Sequence, residues 1–206
     1  MIAIAALAIL NSAQTQATDY FPMEPGMKWT YETSGASYGL YVQEVGAAVE
    51  VDGKMRLPLI IKIGGKLVQT TFYDATPNTI YVLGHDPKQL LLKPQPVFQF
   101  EAKGAKWDFE GPSPYEDDKE SRIFIKGQSK DLGQKAVGTE KRDCIEVKSE
   151  TRIGLNEKTA TLFKQTAIYA KGVGLVELNE TVQAGKDTQQ RKVKLLKMES
   201  SKAADL

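Results

Sequence analysis

The stretch Gly26-Met27-Lys28-Trp29-Thr30-Tyr31-Glu32 recurs in pattern as Gly104-Ala105-Lys106-Trp107-Asp108-Phe109-Glu110. Both read Gly-x-Lys-Trp-x-aromatic-Glu, and together they hold the two tryptophans of the chain. The aromatic positions alternate, so in a strand Trp29 and Tyr31 share one face, as do Trp107 and Phe109. Large aromatics on one face of an opening strand close one end of a core. A shorter echo follows each copy, Gln69-Thr70-Thr71-Phe72-Tyr73 and Gln165-Thr166-Ala167-Ile168-Tyr169. Trp29, Tyr31, Tyr73, Trp107, Phe109 and Tyr169 are therefore the structural landmarks. The repetition reads as an internal duplication or, because the match is short, as chance.

Outward from these phrases the chain is punctuated by turns. Asp52-Gly53 and Gly64-Gly65 are hairpin signals. In Leu57 to Ile63 the odd positions are all apolar, Lys192 to Leu195 alternate polar and apolar residues, and no window repeats its apolar residues at helical spacing. One-face-apolar strands suit an antiparallel sheet. The spacing of turns predicts an all-β antiparallel meander of about 10–13 strands, forming a curved sheet or incomplete barrel. Gly84 to Pro87 is expected to be a turn, and Pro94-Gln95-Pro96 a stiff crossing between halves 18–93 and 94–199. Residues 18–199 make a single β domain, and 200–206 a loose tail.

The 206 residues carry 27 basic and 26 acidic side chains, a net charge of +1. That balance excludes a basic nucleic-acid groove and a polybasic membrane patch. Cys144 is the single cysteine, so an internal disulfide and a cysteine metal site are both excluded. It sits in an alternating run and is expected to be a strand residue; His85, the single histidine, is not placed near it by any pattern.

Residues 1–17 hold an apolar run, Ile2 to Leu10, followed by small residues, as in a secretory signal peptide. The run is too short to span a bilayer. Cleavage fits best after Ala17 and next after Ala13. No basic residue precedes the run, and no cysteine follows it to take a lipid anchor. The mature chain is expected to be exported, periplasmic or secreted, and not membrane-spanning.

The opening Tyr20-Phe21-Pro22 through Gly26, Trp29 and Tyr31, taken with Tyr169-Ala170-Lys171-Gly172-Val173-Gly174-Leu175-Val176, resembles a loose group of exported bacterial all-β proteins. The resemblance implies export and an all-β fold, and it brings no activity and no functional residues. By shape the group is similar to the half-open barrels of periplasmic lipoprotein carriers, which pack helices against the open mouth; no helix is expected here.

Candidate chemistry is sparse. Glu32 and Glu110 would be equivalent in a duplicated chain and could serve as paired carboxylates, or each simply ends a strand facing solvent. Glu116, Asp117, Asp118 and Glu120 form an acidic loop without calcium-loop spacing, so no metal is expected. No cofactor is expected, and the catalytic set is empty. Three functions stay open: a non-enzymatic envelope protein holding an apolar or lipid ligand in a sheet concavity, a scaffold binding an envelope protein through exposed strand edges, and, less favoured, a carboxylate hydrolase.

Overall fold

In the computed structural model, residues 15–35, 39–113, 120–155 and 160–200 are described. The apolar run Ile2 to Leu10, most of the acidic loop (114–119) and the tail beyond 200 lie outside them.

A short 3-10 turn, Ala17–Tyr20, is followed by fourteen strands among the described residues. The first run is β1 (Lys28–Gly35), β2 (Gly39–Val45), β3 (Val49–Val51), β4 (Lys54–Arg56), β5 (Pro58–Ile63), β6 (Lys66–Ala75), β7 (Thr79–Asp86) and β8 (Gln89–Gln99). The second is β9 (Lys106–Pro112), β10 (Arg122–Val137), β11 (Glu140–Gly154), β12 (Thr161–Ala170), β13 (Gly174–Ala184) and β14 (Asp187–Glu199). Twelve of them form one antiparallel sheet in the order β8-β7-β6-β5-β2-β1-β14-β13-β12-β11-β10-β9, and β3–β4 is a separate hairpin. The expected all-β meander is what the chain forms.

The sheet curls until its two edge strands face each other, giving a nearly closed barrel. Lys93 of β8 spans the seam: its Nζ donates to the Glu110 carbonyl of β9 at 2.8 Å and stands 4.6 Å over the Phe109 ring. Closure explains the prolines. Pro94 and Pro96 lie within β8 rather than in a crossing, because an edge strand loses no ladder bond to a missing N–H. His85 likewise belongs to β7 and not to a turn, with the turn displaced to Pro87-Lys88. Its Nδ1 lies 3.1 Å from Thr71 Oγ1 and 3.0 Å from Gln69 Nε2.

The hairpin signals act as their residues require. Asp52 and Gly53 both have positive φ, as do Gly64 and Gly65, so each turn uses the left-handed region at both central positions.

Strand order has a second regularity. Leaving aside the β3–β4 hairpin, each run is a six-stranded meander laid down in the same direction around the barrel. Trp29 and Trp107 stand in the first strand of their runs, and Tyr73 and Tyr169 in the fourth. The runs divide between Gln99 and Lys106.

Candidate functional site

The inward face is built in layers. Low in the barrel, Tyr20, Phe98, Phe100, Trp107 and Ile145 form one buried cluster, and Met27, Trp29, Tyr31, Val45 and Leu59 form another. Between them lies a row of rings. Phe21 packs on Tyr73 at 4.9 Å and on Phe98 at 6.3 Å, and Phe98 packs on Tyr169 at 5.0 Å. The segment that enters the barrel thus reaches the echo tyrosine Tyr73 directly and Tyr169 through Phe98. Higher up the interior turns polar: Gln165 Nε2 donates to Glu180 at 2.6 Å, and Arg191 pairs with the other Glu180 oxygen at 3.0 Å.

The two ends of the chain lock together in this layer. Trp29 Nε1 donates to the Val173 carbonyl at 2.6 Å. The Tyr31 hydroxyl lies 3.1 Å from the Leu175 carbonyl and 3.2 Å from Gln43 Oε1. Gly172 N–H donates to the Asp19 carbonyl at 2.7 Å. Gly172 and Gly174 both have positive φ, which is why the turn needs glycine. Space is not the reason at Gly174, where an added Cβ would meet Pro22 and Trp29 only at ordinary contact distance. The opening motif and the Gly-Val-Gly-Leu motif are therefore two sides of one contact.

The candidate ligand chamber lies here, lined by Phe21, Trp29, Tyr31, Tyr73, Tyr169 and Leu175 among others, and it encloses about 80 Å³. Ligand pockets run to about 300–1,000 Å³, so as folded it holds no acyl chain. The space expected for an apolar ligand is filled by Phe21 and Met23 of the entering segment.

Burial sets the acidity of this layer. It raises the Tyr31, Tyr41, Tyr73 and Tyr169 hydroxyls above the ordinary phenol value; neighbouring tyrosines add to the shift at Tyr31, Tyr73 and Tyr169, and a Gln43 hydrogen bond opposes it at Tyr41. A raised phenol contributes stability that is complete below the unfolded value of about 10 and is lost as pH rises toward the folded value. Ultraviolet titration is expected to show these four ionising only together with unfolding, above the pH at which the exposed tyrosines titrate. Smooth ionisation of all eight tyrosines in a folded chain would contradict the packing.

Of the landmarks, Trp29, Tyr31, Trp107 and Tyr169 are buried, and Tyr73 and Phe109 half-buried. Trp107 differs from Trp29 in having no hydrogen-bond partner for Nε1 among the described residues. Its ring lies flat against Gly127, directly opposite on β10. Glu32 and Glu110 are not brought together: β1 is central, β9 is an edge, and Glu110 pairs with Arg122 at 2.9 Å. Cys144 is buried against Ala170 and Val173, and its thiol lies 3.4 Å from the Arg142 carbonyl, with no contact to His85. Among the described residues no cluster of acidic, histidine or cysteine side chains could hold a metal.

No family model matches the chain, and no curated protein does. Its fold is similar to that of a candidate lipoprotein from Parabacteroides distasonis, with a TM-score of 0.51 at 11% identity over 87% of this chain and 98% of that one. Weaker likenesses are to a candidate exported protein with a YmcC-like fold from Bacteroides fragilis (TM-score 0.43, 13% identity, 87% and 98% covered) and to the hypothetical lipoprotein YmcC of Escherichia coli (0.37, 10%, 88% and 89%). The first bears on the fold and, at that identity, on nothing else.

Proposed function

We propose that the chain is an exported, non-enzymatic protein of the bacterial envelope that works by binding at its surface. The observation that carries this reading is the filled interior: the central chamber encloses about 80 Å³, whereas a cleft of about 460 Å³ opens beside the entering segment. The separation of Glu32 from Glu110, and of Cys144 from His85, removes the pairings that catalysis would have used. Exposed strand edges are a poorer binding surface than expected, because Lys93 bridges the seam between them. Export is supported by the apolar run and the small residues that follow it.

Ala17 bears on processing. It is wholly buried, and its N–H donates to the Pro77 carbonyl at 2.7 Å. Cleavage after Ala17 removes this contact and cleavage after Ala13 keeps it. N-terminal sequencing of protein from the periplasm of its native host is expected to find at least residues 1–13 removed. An intact Met1 on a cytoplasmic protein contradicts export.

The aromatic lining favours a second reading, in which Phe21 and Met23 swing out and an apolar ligand takes their place. Titration with a fluorescent fatty acid separates the two. Surface binding predicts no saturable site, and saturable binding abolished by bulk added at the chamber wall supports the second reading.

The two six-strand runs are, on this reading, copies of one meander. The support is the matching rank of the Trp and Tyr strands. Superposing residues 28–99 on 106–199 is expected to bring Trp29 onto Trp107 and Tyr73 onto Tyr169; a best fit out of strand register contradicts duplication.

A further inference from the structure

The β10–β11 hairpin outruns the barrel wall. Strand β9 covers β10 only as far as Gln128, and the hairpin continues to Val137 and returns from Glu140. Its inward rows change character where they leave the core. On β10 the row Ile125, Gly127, Ser129 ends at Asp131, and on β11 the row Val147, Ile145 ends at Asp143. Both carboxylates therefore sit on the concave face at the rim of the buried cluster.

Beneath them lies the cleft of about 460 Å³, walled by Tyr20, Phe100, Glu101, Asp131 and Asp143. Among the described residues none of these three carboxylates has an ion pair. Others in the fold do: Asp74 pairs with Arg56 at 2.7 Å, and Asp19 with Lys171 at 3.3 Å. One Asp131 oxygen accepts the Gly133 N–H at 2.8 Å, which leaves the other for a ligand.

Tyr20 is an independent sign. It is 3% exposed, and among the described residues nothing hydrogen-bonds its hydroxyl. The side chain is buried but its hydroxyl is not among the sealed-off polar atoms, so it opens into the cleft, where a ligand group can replace water. Tyr20 lines the same cleft as Asp131 and Asp143, and its hydroxyl is pushed up to about 12 by burial and then by their charges. The Tyr20 ring packs against Phe100 at 5.3 Å, which gives the cleft an aromatic floor.

We propose that this cleft binds an organic cation, a ligand presenting a primary ammonium or guanidinium group. The N–H donors reach Asp131, Asp143 and the Tyr20 oxygen, and the charge rests over the Tyr20 and Phe100 rings. Anions are repelled. A bare divalent cation needs about six or more oxygens drawn close around it, and the carboxylates here are not grouped tightly enough for that. Thr15 also lines the cleft, so cleavage after Ala17 removes that part of its wall and leaves Tyr20, Phe100, Glu101, Asp131 and Asp143 in place. The proposal deepens the reading of the chain as a binding protein and rests on it.

Calorimetry on the full mature chain tests this with three probes: spermidine, N-acetyl-lysine amide and calcium. Spermidine is expected to bind at a single saturable site. Asp143→Asn should weaken it by about tenfold or more, as expected for loss of a charge-assisted bond. Tyr20→Phe should weaken it by about threefold or more with an unchanged melting temperature, since it removes one hydrogen bond only. Asp187→Asn, at the opposite end of the barrel, should change nothing. Lysine amide binding at the same site points to a peptide source of the cation, and spermidine alone to a free amine; both support the proposal. No saturable heat from either amine, binding that survives Asp131→Asn/Asp143→Asn in a folded chain, or calcium binding that displaces spermidine overturns it. Such a failure leaves the surface-binding reading standing, whereas chemical conversion of the amine would overturn that reading instead.

Discussion

Trp29→Ala is expected to lower the free energy of unfolding by about 3–5 kcal/mol, the cost of truncating a buried tryptophan. Trp29 is 3% exposed and spans the contact between the opening motif and the Gly172–Leu175 turn. Truncation leaves a cavity beside Pro22 and strands the Val173 carbonyl. The two tryptophans separate more finely on mutation to phenylalanine. Trp29→Phe keeps most of the volume but leaves that buried carbonyl without its donor, a penalty of about 1–3 kcal/mol. Trp107→Phe loses similar volume but gives up no hydrogen bond, because Nε1 of Trp107 has no partner among the described residues, so it should cost less than Trp29→Phe by about 1–3 kcal/mol. Denaturant melts of the variants measure all of this. Losses below about 1 kcal/mol for Trp29→Ala, far under the cavity range, would mean a surface aromatic and would contradict the packing.

Gly127→Ala carries the second large effect. The new methyl would lie inside the indole of Trp107, which is itself 6% exposed and held by the β9–β10 ladder. Neither partner has room to give, so the substitution should cost about 2–3 kcal/mol or more, at the upper end of overpacking. The cost belongs to the pair. In a Trp107→Ala background the methyl enters the vacated space, and Gly127→Ala becomes neutral or stabilising. A double-mutant cycle that instead shows additive losses would place the strain elsewhere.

The sequence made much of this fold legible, for local reasons. Asp52-Gly53 and Gly64-Gly65 declare their turns because few other residues adopt the required φ. Alternation in β14, where Val193 is buried between exposed Lys192 and Lys194, reports which face is inward. The Trp phrases name the first strand of each run, and the echo tyrosines the fourth. What alternation cannot report is the partner across the barrel. Trp29 and Val173 are 144 residues apart, and nothing in either segment names the other. Closure was equally hidden, and with it the place of Pro94 and Pro96 in an edge strand. The acidic cleft had a trace in the sequence: Asp131 and Asp143 are charged residues standing in otherwise inward rows. Those rows become visible only once the register of β10 on β11 is known, and a bulge between Asp131 and Gly133 shifts that register. Glu32, Glu110 and the acidic loop are more conspicuous in the bare sequence, but they stand out by composition and repetition rather than by convergence.

On the proposed surface-binding reading, the barrel interior is completed by the chain's own Phe21 and Met23 and should carry no apolar guest. Native mass spectrometry of the protein drawn gently from the envelope of its host tests this most directly. The expected mass is that of the processed chain, with any adduct small, polar and removable by salt. A stoichiometric adduct of lipid mass that persists through salt and departs only on unfolding would contradict it.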